Sequence, residues 1–142
     1  MTADPRIACI ASMLLPPACA VVNAMVHGAR LHTFLKRTPT IATYQNIIEF
    51  ERVVKRQMYA ALLQIVLLVA PGIIFVVGLV RKVIAVDDVL YIVLPSLVIM
   101  AIGMAFKTLE NRARSLPVHD PILEERRDHI VKVWNSKALP DW

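Results

Sequence analysis

The chain has 142 residues, of which 57% fall in the hydrophobic set and 19% are charged, with a formal net charge of +5; its mean hydropathy is +0.58. A water-soluble domain of that composition would expose more apolar surface than soluble monomers tolerate, and disordered chains are poor in apolar residues. Two cysteines are too few to staple a small secreted scaffold, so the expectation is an all-α integral membrane protein forming one membrane domain over 1–142.

The first apolar stretch, 7–27, carries no charge but holds Pro16 and Pro17 in its middle. Proline removes a backbone donor and crowds the preceding turn, and two in succession usually start a new segment. A proline-kinked transmembrane helix, a re-entrant or interfacial segment, and a secretory signal with Arg6 before the apolar run all fit this stretch. A lipid anchor on Cys19 does not, because Pro16, Pro17 and Ala18 occupy the positions where leucine and small residues are needed. The expectation is a membrane segment that is not removed. Cys9 and Cys19 would lie roughly 15 Å apart on a continuous helix, too far to bridge.

Residues 43–57 read as a helix running directly into the next apolar stretch. Ile47, Phe50, Val54 and Met58 form one stripe at 3–4 spacing, and Glu51–Lys55 is a favourable i,i+4 pair. The stripe needs a cover: the bilayer surface, the chain's own C-terminal region or a partner helix. Phe50 and Val54 are therefore candidate partner anchors. Residues 58–80 are uncharged and would span roughly 35 Å as a helix, against a hydrocarbon core of roughly 30 Å. Residues 89–106, also uncharged, reach roughly 27 Å. The short polar loop 81–88 makes the two an antiparallel hairpin.

Basic residues set the orientation. Residues 28–57 contain Arg30, Lys36, Arg37, Arg52, Lys55 and Arg56 against Glu49 and Glu51, and Lys107, Arg112 and Arg114 follow the last span. Arg52, Lys55, Arg56, Lys107, Arg112 and Arg114 are the expected membrane-surface cations. This places 28–57 and the tail 107–142 in the cytoplasm and the 81–88 loop outside, in an inner (plasma) membrane; an organellar inner membrane would show the same bias. No glycine-aromatic or helix-turn-helix pattern accompanies the charge, so nucleic acid is not an expected partner.

In the tail, Asp120 suits an N-cap and Pro121 the first helical position of a helix over about 121–135. Leu123, Ile130 and Trp134 give it a narrow stripe, and Arg126, Arg127 and Asp128 fall to solvent or head groups. Trp134 and Trp142 are candidate anchors, in a protein pocket or at the membrane interface.

Chemistry is sparse. Intramembrane ionisable groups mark ion and substrate paths, and neither hairpin span has one. Gln64 and Ser96 are expected to make helix–helix hydrogen bonds. Ala101-x-x-x-Ala105, with Gly103 between, is a small-xxx-small packing face, and the hairpin would pack through these small residues. Pro71–Gly72 and Pro95 interrupt the spans, most simply as packing features. The histidines form no metal-ligand pattern, and no nucleophile–base pair or phosphate loop is present, so neither catalysis nor a cofactor is expected. The expected function is an accessory or assembly subunit of a larger membrane complex. A homo-oligomeric channel, holin-like pore or transport component would instead require Gln64 and Ser96 on a common axis. A haem- or pigment-binding protein would require a ligand such as His27.

Overall fold

A computed structural model describes residues 4–140; Trp142, a candidate anchor, lies outside them. Four α-helices follow one another: α1 (Pro5–Arg37), α2 (Tyr44–Val80), α3 (Leu90–Arg114) and α4 (Pro121–Ser136), with a 3-10 turn at Val86–Val89 leading into α3. The helices α1 and α2, and the Val86–Arg114 stretch holding α3, are each long and apolar enough to cross a membrane.

The helix ends follow from local chemistry. α1 stops at Arg37 because Pro39 disfavours helical backbone at Thr38. Thr43 caps α2, its hydroxyl accepting from the Asn46 N–H at 3.3 Å. At the other end of α2, Lys82 N–H donates to Leu79 O at 2.9 Å and Val83 N–H to Gly78 O at 3.0 Å. This is a Schellman closure, with Lys82 in the left-handed region at φ 56° where glycine is usual. Asp120 caps α4 by accepting from the Ile122 N–H at 2.8 Å, with Pro121 as the first helical residue.

The proline pair does not start a new segment. α1 continues through Pro16 and Pro17 for 33 residues. Each proline deletes one intrahelical donor, but in an apolar setting unravelling the neighbouring turns would leave still more backbone groups unbonded, so the helix persists. Pro17 is buried and Met13, one turn earlier, is wholly so. The two cysteines on this helix are both free.

The chain divides into two compact units rather than one: Met1–Ala24 with Leu63–Met104, and Met25–Leu62 with Ala105–Trp142. The first is apolar on its outside. Leu15, Val66, Ile73, Leu94 and Met104 are each at least 60% exposed, and only 17%, 11% and 6% of the most apolar windows of the three long helices are buried. Its interior gathers Met13, Ala20, Pro71, Gly78, Ile84 and Ile99. Gly78 is required by close approach, because a Cβ there would meet the Ile84 side chain at 2.7 Å and Cys9 Sγ at 3.0 Å.

The second unit is a helical cluster with a conventional core: Leu31 and Phe34 from α1, Ile47, Phe50, Val54 and Met58 from α2, Ala113 from α3, and Leu123, Ile130 and Val133 from α4. Phe34 and Phe50 stack with ring centroids 6.1 Å apart. A methyl group on Gly28 would fall within the Phe106 ring, so α1 approaches α3 this closely only at glycine. The 38–43 connection is pinned by the Ile41 N–H donating to Pro117 O at 2.9 Å, beside a bridge from Ile41 to Val118.

Candidate functional site

Within the second unit, the facing sides of α1 and α2 enclose an open cleft of about 470 Å³. From α1 come His27, Arg30, Phe34 and Arg37, a stripe at 3–4 spacing, with Ala29 and Thr33 beside it; from α2 come Glu49, Arg52, Val53, Arg56 and Gln57. One turn of α-helix separates successive members of each stripe, so the four arginines line two opposed walls. The Gln57 amide donates to the His27 carbonyl oxygen at 2.8 Å and ties the walls together at one end.

The four guanidinium groups lack carboxylate partners: none of the ion pairs among the described residues involves Arg30, Arg37, Arg52 or Arg56. Three other arginines of the same unit are paired internally, whereas the exposed Arg112 is in none of the ion pairs among the described residues. Arg126 donates to Glu51 at 3.1 Å and to the Tyr44 hydroxyl. Arg127 donates to the Leu116 carbonyl at 3.0 Å and to Glu124 at 3.3 Å. Arg114 approaches Glu110 at 3.6 Å and lies over the Trp134 ring, 4.7 Å from its centroid.

These contacts revise several expectations. Phe50 and Val54 are fully buried in the chain's own core rather than exposed for a partner, in a cluster shared by α1, α3 and α4 with the Phe34 ring of α1 stacked on Phe50. Trp134 packs against that core under Arg114 rather than on a free surface. Arg126 and Arg127 hold α4 in place instead of facing solvent or head groups, and Glu51 pairs with Arg126 rather than Lys55. Of the expected surface cations, Arg114 is engaged internally, whereas Lys107 and Arg112 are exposed on α3 and Lys55 on α2. Only Arg52 and Arg56 belong to the cleft.

In the first unit, Gln64 accepts from Asn23 Nδ2 at 3.0 Å, a bond between α2 and α1. Ser96 instead donates to Ile92 O of its own helix at 2.8 Å, the usual fate of a hydroxyl with no cross-helix acceptor in reach. Ala101 and Ala105, one turn apart on α3, are both exposed, and so is Gly103 on the other side of the helix, where a Cβ would meet nothing among the described residues. Beyond the apolar stretches, Arg6 pairs with Asp88 at 2.9 Å. The Ala85 N–H, donating to the same carboxylate at 2.9 Å, and then Arg6, hold Asp88 below the usual carboxylate range.

Arg30 and Arg37 were visible in the sequence as surplus charge but not as members of a site. The signal was their phase: 27, 30, 34 and 37 on one helix and 49, 52, 53 and 56 on the next, joined by a short connection that folds the helices together. No protein-family model, curated protein or solved structure matches the chain.

Proposed function

We propose that the chain is a non-catalytic, three-span protein of an inner membrane that serves as an accessory or assembly subunit of a larger membrane complex. α1 crosses as a proline-kinked helix, α2 and α3 form the transmembrane hairpin, and the helical unit holding α4 lies in the cytoplasm. The observation that carries this reading is the uncovered Ala101-x-x-x-Ala105 face of α3, both of whose residues are exposed. Small residues let helix backbones approach closely, and lipid chains gain little from such a face. A transmembrane helix of another subunit fits it. The mechanism is binding energy used for position. The absence of charged residues from 58–80 and 89–106 agrees with a packing role.

The test is gentle solubilisation followed by mass measurement and identification of copurifying proteins, for the wild type and for Ala101→Leu. The proposal requires an assembly heavier than one chain that Ala101→Leu dissociates while leaving the fold intact. A lone monomer unaffected by the substitution would sink it.

A further inference from the structure

We infer that the arginine-lined cleft between α1 and α2 is a binding site for a phosphate-bearing anion, with the headgroup of an anionic phospholipid as its source. The inference goes beyond the accessory-subunit reading and rests only on its three-span topology, which lipid retention at the cleft tests separately from any partner subunit.

Three observations carry it. The first is convergence: Arg30, Arg37, Arg52 and Arg56 line one cleft against the single carboxylate of Glu49. Planar guanidinium groups present forked donors that match phosphate oxygens, which makes arginine the side chain of choice for such sites. The second is the lack of internal compensation. In the same unit Arg114, Arg126 and Arg127 each find a carboxylate, and Arg112 stands exposed by itself outside the cleft. Among the described residues the four cleft arginines find none, although they share one space with Glu49. Folding has therefore brought like charges together without neutralising them, and an external anion relieves that repulsion. The third is placement. His27 and Gln57, which close one end of the cleft, immediately adjoin the uncharged stretches 7–27 and 58–80. A cleft there opens at headgroup depth, where basic pockets between transmembrane helices take phospholipid headgroups.

Size and lining agree. About 470 Å³ accommodates a phosphodiester with its glycerol. Ala29, Phe34 and Val53 supply apolar wall for the start of the acyl chains, which a bare inorganic ion would leave unused.

The test uses the full chain in detergent, with lipid adducts counted by native mass spectrometry against phosphatidylglycerol and phosphatidylcholine. The cleft variant combines Arg30→Gln, Arg52→Gln and Arg56→Gln, all at exposed positions. A control combining Lys107→Gln, Arg112→Gln and Lys132→Gln removes the same charge from exposed positions outside the cleft. Trp134 emission reports that each variant is folded. We expect the wild type to retain phosphatidylglycerol over phosphatidylcholine, the cleft variant to lose at least roughly tenfold in retention, and the control to change little.

Inorganic phosphate and glycerol phosphate are titrated as competitors. If they fail to displace the lipid, the source is the membrane; if they displace it at the cleft alone, the site takes free phosphate esters. Equal loss in both variants would show only a diffuse positive field, and no loss in either would show no site. Each of those two results overturns the inference.

Discussion

Replacing Phe50 by alanine separates an internal core from a docking surface. Phe50 is fully buried, and its ring stacks on Phe34 with centroids 6.1 Å apart. Truncating a buried phenylalanine removes its transfer free energy and leaves a cavity, together costing about 3–5 kcal/mol; the aromatic pair accounts for about 0.5–1.5 kcal/mol beyond simple burial. For a helical unit of this size, about 3 kcal/mol lowers the melting temperature by roughly 15 °C. The assay is thermal unfolding in mild detergent followed by Trp134 fluorescence in a Trp142→Phe background. Trp134 reports the unit directly, since Arg114 covers its ring. Ile122→Ala is the control: Ile122 is 77% exposed at the start of α4 and its truncation should shift the midpoint little. A Phe50→Ala protein melting with the wild type would refute the reasoning, because a residue that contacts only an external partner leaves the isolated chain's stability unchanged.

Other outcomes follow from the same packing. Gly28→Leu forces the side chain into the space of Phe106 and should destabilise the second unit by about 1–3 kcal/mol, read by the same fluorescence melt. Asp120→Ala removes the α4 cap and should cost about 1 kcal/mol, seen as faster amide exchange at Ile122 before any change in the core. Gln64→Leu breaks the Asn23 bond; such bonds average about 0.6 kcal/mol in membranes, so the fold should survive with a small loss of thermal stability. The Arg6–Asp88 contact should be acid-sensitive. A carboxylate held below its unfolded value of about 3.9 stabilises the fold fully above that pH, and the contribution disappears as pH falls through the folded value. Amide-exchange protection of the 81–88 loop should therefore stay constant from neutral pH down to about 4 and then fall, whereas Asp88→Asn should lack the added protection at neutral pH.

Much of this fold could be read in the residues themselves. The three apolar helices follow from uncharged stretches, and the Asp120–Pro121 start of α4 from capping chemistry, because both depend on neighbours within one helical turn. What escaped depends on contacts between residues distant in sequence. The stripe through Ile47, Phe50 and Val54 was visible, but periodicity does not say what covers a stripe, and the core it joins draws on α1 before it and on α3 and α4 well after it. Pro16 and Pro17 left several readings of 7–27 open, and the helix persists through them because breaking it would leave still more backbone groups unbonded in an apolar setting. The cleft was hidden in a charge count: six bases in 28–57 indicate orientation, but only the folding of α1 against α2 puts four arginines around one space.

The topology underlies both proposals, and single-cysteine labelling tests it most directly. With Cys9 and Cys19 replaced by serine, cysteines are introduced one at a time by Lys82→Cys, Gln45→Cys and Glu125→Cys, all at exposed positions. The account predicts that a membrane-impermeant maleimide labels the first in intact cells, and the other two only after permeabilisation. Labelling of Gln45→Cys or Glu125→Cys in intact cells, with Lys82→Cys protected, would contradict it.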